Sequence, residues 1–531
     1  MVSNKAVKRT YIIFTAILIV GLLINLWPQY MASNALQNYK GDEVWYVDAA
    51  RNYLYHGGIT VHYRVTETWY EGDIVHHKDY EGVNVFVRIP DNVTGIDPKW
   101  YDWSKFDPYV YNIIVQNNLT GIHAQDWNEI NYGRYYLVPA DEFDTFVNAI
   151  KNVRADKDIT VTYQVIENGK PVEKTVTLFK KGDPIFDVRP GFMYADKWGI
   201  EKYYNLEHPF LGKVFIISAM YLFGDVPTYW RIPSLIMYYI VLIFVGLTVV
   251  NITKRYFWGA VAMLLVAIDP GLRMLGTTAM LDIYVAAFMA LTVYALSKKD
   301  IAAAALFTGL AAAVKLNGAF VAAAIAIYVL LKANSVGKNT KEKVKVFIKD
   351  GIKYTIIWLS AFIIGNIPIL AFLSLREWWE GLINGAKWMA SRGVVPHPFQ
   401  SPIWNWFFNK NPFTIYFNPR IMIQTNWFMW DLAVIFAILG LFLIYRKYGD
   451  KYLLPVLGGF SIIGMYILMY IIGGKTQYSY YGVQITPFMI VMFTVGLAVL
   501  IDWNRLLKAF KGTIFEDDVR NAVPDGIELE E

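Results

Sequence analysis

Asp42 and Glu43 stand side by side in Gly41-Asp42-Glu43-Val44, a short distance after an apolar run that begins at Tyr11 and ends near Trp27. Adjacent carboxylates can divide labour, one accepting a proton while the other tunes it or holds a group. An acidic first turn answering the helix dipole explains the same residues at least as well. Further along come His208-Pro209-Phe210-Leu211-Gly212-Lys213, then Trp230-Arg231-Ile232-Pro233-Ser234, then Asp269-Pro270 with Arg273 and Asp282, and Lys315 in Ala312-Ala313-Val314-Lys315-Leu316-Asn317-Gly318. Each lies in or beside an apolar stretch, where an ionisable side chain costs roughly 2.5–3.5 kcal/mol on insertion scales and is a functional candidate for that reason. Interfacial snorkelling accounts for Lys213 and Arg231 nearly as well. Lys315, flanked by Ala and Leu, has fewer ordinary explanations and should face an anion or water.

Taken together, Lys213, Arg231, Arg273 and Lys315 can form a cationic cluster at membrane depth with Asp42 and Glu43 close by. Such a set suits a lipid-linked phosphate. The cations neutralise a leaving phosphate while a carboxylate deprotonates an acceptor hydroxyl.

The elements that must position these groups are membrane spans. Of 531 residues 55% are hydrophobic and 18% charged, below the ~25% charge of soluble proteins, so the apolar surface needs lipid to hide it. Cys is absent, which excludes disulfides, thiolate metal sites and a cysteine nucleophile. A net charge of +5 argues against a nucleic-acid partner. The first run, preceded by Lys5, Lys8 and Arg9, ends in Trp27-Pro28-Gln29-Tyr30 and lacks a small-residue cleavage site, so it reads as a retained span. Further apolar runs at roughly 232–252, 257–272, 280–297, 301–314, 316–331, 353–373, 428–445, 452–472 and 483–501 bring the total to about ten. Lys254-Arg255, Lys298-Lys299, the Lys-rich 332–353, Arg446-Lys447 with Lys451, and Arg505, Lys508 and Lys511 all then fall on one side, the cytoplasmic one by the positive-inside rule. Both termini and the acidic tail share that side. The candidate residues face the other, and the stretch 214–223 is placed as a helix along the outer interface.

Residues 60–195 are polar and turn-rich and read as an inserted extracytoplasmic α+β domain in the first outer loop. Helical spacing at Phe143, Phe146, Val147 and Ile150 is followed by alternation over 159–165, an Asn168-Gly169 turn and alternation over 172–178, a helix then a hairpin. That order over 135–182 resembles half of a PDZ-like domain, and a small α+β lid or spacer fits it equally. His62, His76 and His77 lack metal-ligand spacing. Asn92 and Asn118 head sequons on the outer side, and Asn251 heads one that should stay bare at a cytoplasmic span end.

At its charged motifs the chain resembles the protein O-mannosyltransferase family, membrane glycosyltransferases of superfamily C. Asp42-Glu43 match the family's acidic pair, His208 through Lys213 its His-Pro-Pro-Leu-Gly-Lys element, Arg231 the arginine before the next span, Arg273 through Asp282 its Arg…Leu-Asp segment, and Lys315-Leu316-Asn317-Gly318 its Lys-Trp-Thr-Gly turn. His397-Pro398 with Ser401, Trp404 and Trp406 resembles a His-Pro…Ser…Trp…Trp stretch, and Tyr478-Ser479-Tyr480 through Pro487 a Tyr-His-Tyr…Pro stretch. The resemblance implies a superfamily C fold and transfer of mannose, with inversion, from a dolichyl-phosphate donor to Ser or Thr of a protein or peptide acceptor. It implies Asp42 as base assisted by Glu43, Arg231, Lys213, Arg273 and Lys315 at the donor phosphate, and His208, Asp282, His397, Trp404, Tyr478 and Tyr480 at the substrates. No cofactor is implied. A divalent ion held by Asp42, Glu43 and Asp282 would imitate the oligosaccharide transferases and is not favoured. Phe210 stands for a Pro, Ser479 for a His, and the insertion of about 60–195 separates the acidic pair from His208. These departures leave open a related transferase of the aminoarabinose or oligosaccharide type. A polytopic transporter would need internal repeats, which the sequence lacks, and a peptide-binding scaffold leaves Lys315 without a purpose.

Overall fold

The computed structural model describes residues 40–56, 62–71, 74–90, 105–128, 133–167, 170–190, 204–391, 399–417 and 420–501, with single positions between 12 and 31. Lys5, Lys8, Arg9, most of the first apolar run, the Asn92 sequon, the Asn168-Gly169 turn, His397 and the acidic tail lie outside the described residues. Within the first run Ile12, Ala16, Leu26, Trp27, Gln29, Tyr30 and Met31 are helical.

Two compact units divide the chain. One comprises Met1–Glu43, Leu206–Phe215 and Arg231–Glu531, the other Val44–Asn205 and Ile216–Trp230. The second unit is therefore wider than 60–195, because apolar residues of the helix Glu43–His56 bury in it: Val47, Ala50 and Leu54, at helical spacing, are all enclosed. Arg51 ties that helix to the later segment by ion pairs to Asp48 and Asp225, its ring neighbour being Trp230 with the guanidinium 5.1 Å from the centroid.

The sheet of this unit is antiparallel. A long strand, Ile74–Arg88, pairs through its first half with His62–Glu71, while its second half lies between Gly133–Pro139 and the short Asp187–Pro190. Strand His123–Asn128 closes the edge beyond Gly133–Pro139. Phe146, Val147 and Ile150 of the helix Phe143–Lys151 join Val85, Val87, Tyr136 and Val138 in the core, as their spacing requires. The hairpin Ile159–Glu167 with Lys170–Phe179 forms a two-stranded sheet of its own. Its order after the helix matches the sequence reading, but the topology gives the PDZ likeness no support.

The first unit is helical. Four described helices are long and apolar enough to cross a bilayer: Pro227–Thr253, Leu316–Val336, Thr340–Ala371 and Asp450–Ile471. Along the third, Ile352, Ile356, Leu359 and Ile363 form an exposed apolar stripe at helical spacing, which suits contact with lipid. Six further apolar helices are shorter: Leu211–Phe223, Tyr256–Ile268, Leu281–Ser297, Ile301–Val314, Trp427–Gly440 and Thr486–Ile501. The apolar runs 257–272 and 483–501 are not single helices. The first breaks at Asp269, where a six-residue helix Pro270–Leu275 restarts with Asp269 as its cap, and the second begins as a 3-10 turn, Ser479–Gln484. Hydropathy reads through both breaks because the residues around them stay apolar. At the inner end of Ile232–Thr253, Asn251 is buried and donates to the Ser297 carbonyl at 2.7 Å, so its amide is occupied.

Candidate active site

Gly41 sets up the acidic pair. Its φ is +55°, the left-handed region that glycine enters without strain, and its N–H donates to the Ile415 carbonyl at 2.8 Å. A Cβ there would meet Ile415 Cγ1 at 3.0 Å. The turn it makes delivers Asp42 and Glu43 to the start of the helix Glu43–His56.

The two carboxylates then diverge. Glu43 is fully buried and accepts from Arg231 Nε at 2.8 Å and from a terminal guanidinium nitrogen of Arg231 at 2.7 Å, a bidentate fork. It also accepts from the Lys40 N–H at 2.8 Å and the Ala279 N–H at 2.6 Å. Arg231, fully buried, sits one residue before the helix Ile232–Thr253. Glu43 thus fastens three segments together, and four donors on its two oxygens leave it poorly suited to take a proton. Asp42 is half-buried and accepts from the Tyr480 hydroxyl at 3.1 Å.

Tyr480 carries the site onward. Its ring stacks on Tyr478 with centroids 5.6 Å apart and planes 6° from parallel, and Phe413 meets both edge-on. The Lys315 ammonium lies 5.2 Å from the Tyr480 centroid and 4.4 Å from that of Tyr481, within cation–π range. Lys315 follows the end of the helix Ile301–Val314 and donates to both carboxylate oxygens of Asp282, at 3.0 and 3.1 Å. Asp282 starts the next apolar helix back in sequence, Leu281–Ser297.

Lys213 and His208 form a third group. The Lys213 ammonium donates to the His208 carbonyl at 3.0 Å and sits 5.3 Å from the Phe210 ring centroid. Burial, then the charges of Lys315 and Lys213, drive the His208 imidazole well below its usual range, so it is neutral at pH 7. Burial also raises the neighbouring Glu207 carboxyl, with the Asp42 charge adding to the effect and Lys213 opposing it.

The expected cluster of four cations is accordingly not one group. Arg231 and Lys315 each hold a buried carboxylate. Arg273 pairs with Gln29, donating from Nε at 2.8 Å while Gln29 donates back to the Arg273 carbonyl at 3.1 Å. Asp42, Lys315, Asp282, Tyr478 and Tyr480 come together through the contacts above. Trp404 is exposed and packs edge-on against Tyr470 at 4.6 Å, beside a buried Trp406. Lys40, Glu207, Tyr481 and Gln484 were not anticipated. Lys40 is buried against the Glu43–Arg231 pair, and burial, then the Arg231 charge, lowers its ammonium to about 7 against the pull of Glu43. Only its position three residues before Glu43 hinted at it. Among the described residues no three His, Asp or Glu side chains group as metal ligands.

Two solved structures share features with the chain. ArnT from Cupriavidus metallidurans in the apo state aligns with 59% of this chain and 56% of its own length at 11% identity and a TM-score of 0.36. The Archaeoglobus fulgidus oligosaccharyltransferase, tethered by a disulfide to an acceptor peptide containing the NVT sequon, aligns with 60% of this chain and 45% of its own at 12% identity and a TM-score of 0.31. The chain therefore spans about half the length of these structures. No curated protein sequence matches it. Residues 207–349, from Glu207 past Arg231, Asp282 and Lys315, match the family model described as dolichyl-phosphate-mannose-protein mannosyltransferase.

Proposed function

We propose that the chain is an inverting glycosyltransferase that moves a sugar, mannose by first choice, from a dolichyl-phosphate donor to Ser or Thr hydroxyls of a protein acceptor. The reaction takes place on the extracytoplasmic face of the cell membrane, with both chain termini in the cytoplasm. The observation that carries the reading is the placement of Asp42 and Lys315 on opposite parts of one tyrosine, Tyr480, next to a segment that matches the mannosyltransferase model.

Asp42 is the base. The acceptor oxygen forms its bond to the sugar's anomeric carbon as the bond from that carbon to the phosphate oxygen breaks, the electron pair leaves with the phosphate, and the hydroxyl proton passes to Asp42. A phosphodiester is a weak base and needs charge neutralisation more than protonation. Lys315 and Lys213 supply it, and Arg231 acts from within its pair with Glu43, which holds the base's backbone in place. A neutral His208 next to these cations adds no competing charge and offers hydrogen bonds to a sugar.

The test is incubation of the purified chain with labelled dolichyl-phosphate mannose and a Ser/Thr peptide, with and without chelator. Transfer of label to peptide is the expected result. Transfer from a different lipid-linked sugar alone would reassign the donor, and no transfer from any would end the reading.

A further inference from the structure

Lys315 does not choose its own position. Its partner Asp282 is fully buried and accepts a third hydrogen bond, from Gln484 Nε2 at 3.2 Å. Gln484 Oε1 accepts from the Tyr466 hydroxyl at 3.4 Å, and the Tyr466 oxygen accepts from Asn317 Nδ2 at 2.8 Å. Tyr466 is itself fixed. Its carbonyl takes the Gln477 amide at 2.7 Å, and its ring meets Trp406 edge-on at 5.1 Å and Tyr481 nearly parallel at 6.2 Å. Gln484, Tyr466, Asp282 and Lys315 are all buried.

The chain Asn317, Tyr466, Gln484, Asp282 donates in one direction and ends on the carboxylate. That direction fixes the Gln484 amide, since a flip would set its oxygen against Asp282 and its NH2 against a donating phenol. The Gln484 donation also shares Asp282 Oδ1 with Lys315, so the carboxylate's hold on the ammonium is divided. In a buried setting an unmet donor or acceptor is costly, and such chains rigidify what they end on.

We infer that Gln484 and Tyr466 are positioning residues that fix the Lys315 ammonium beneath the Tyr480 and Tyr481 rings, where it takes the donor phosphate. The inference rests on the proposed reading of Lys315 as a donor-phosphate cation. The Gln484 oxygen and nitrogen touch protein groups only at the contacts named, so both residues act through Asp282 and Lys315.

The test is binding of dolichyl phosphate to the purified full-length chain in detergent, measured for the parent, Gln484→Met, Tyr466→Phe, Lys315→Met and the Gln484→Met/Lys315→Met double variant, with a thermal midpoint for each. Gln484→Met is expected to weaken binding about tenfold, the scale of a hydrogen bond to a charged group. Tyr466→Phe, which keeps the ring packing, should weaken it about threefold. In the Lys315→Met background the Gln484 change should add nothing, whereas a general packing lesion adds its own loss in either background. Parent-like binding by both single variants, or a full additional loss in the double variant, overturns the inference. So does parent-like binding by Lys315→Met. A parent that binds no dolichyl phosphate removes the donor reading itself. Should Gln484→Met not fold, Tyr466→Phe and its double variant with Lys315→Met decide in the same way.

Discussion

Tyr480 donates its hydroxyl to Asp42 at 3.1 Å from 438 residues further along the chain, and the ring of the same tyrosine faces the Lys315 ammonium. One side chain therefore touches both the carboxylate and the cation that the proposed reaction needs. Asp42 and Glu43, adjacent in sequence, end up with different work because only one of them meets Arg231.

Replacing Asp42 by Asn keeps size and the contact with Tyr480 but removes the proton acceptor. Transfer should fall by about 10²–10⁴-fold, the usual contribution of a general base, while the thermal midpoint stays near that of the parent. Parent-like turnover by Asp42→Asn would remove Asp42 from that role.

Glu43 and Arg231 form a fully buried pair, so stranding either charge should be severe. Glu43→Gln and Arg231→Met are each expected to destabilise by about 3–5 kcal/mol, with the Glu43→Leu/Arg231→Met double variant recovering a large part of that. Denaturation of the three variants in detergent checks the ordering. Equal stability of Glu43→Gln and the parent would show that the pair is not a structural fastener.

Lys40 predicts a pH dependence. Its ammonium is lowered from 10.5 to about 7, so between about pH 7 and 10.5 the unfolded chain binds the proton and the folded chain has released it. Stability should therefore rise with pH across that window and be unaffected by Lys40 below it, where both states are protonated. In Lys40→Met the rise should shrink. Midpoints measured at pH 7 and pH 9.5 make the comparison, and an identical slope in the variant would contradict the assignment.

Gly41 occupies left-handed backbone with Ile415 Cγ1 at contact distance. Gly41→Ala should cost about 1–2 kcal/mol of local strain and, by shifting the turn that aims Asp42, reduce turnover more than it reduces donor binding. A variant with parent-like rates would mean the turn tolerates a side chain.

Much of this was legible before any coordinates. Spacing alone placed the helix carrying Val47, Ala50 and Leu54, the helix and hairpin of the outer insertion, and the small-residue turn at Lys315, because periodicity and turn chemistry are local. The breaks at Asp269 and at Ser479–Gln484 were not legible, since apolar residues continue across them and only tertiary partners decide where a helix stops. Partner choice was equally hidden. Arg231 and Lys315 looked like members of one cluster because nothing in a sequence says that Glu43 and Asp282 claim them. Gln484 and Tyr466 escaped notice for the same reason, being neutral residues whose importance comes from what they touch.

The short helices set a depth. At ~1.5 Å per residue, Tyr256–Ile268 reaches about 20 Å, whereas hydrocarbon is ~30 Å thick. About 10 Å of that thickness must be lined by irregular backbone that protein or water, never lipid, keeps satisfied. Asp269, Asp282 and Lys315 all stand at ends of such helices. The truncated helices thus act as a gauge, marking how far below the membrane surface a charged head group can rest while its tail stays in oil.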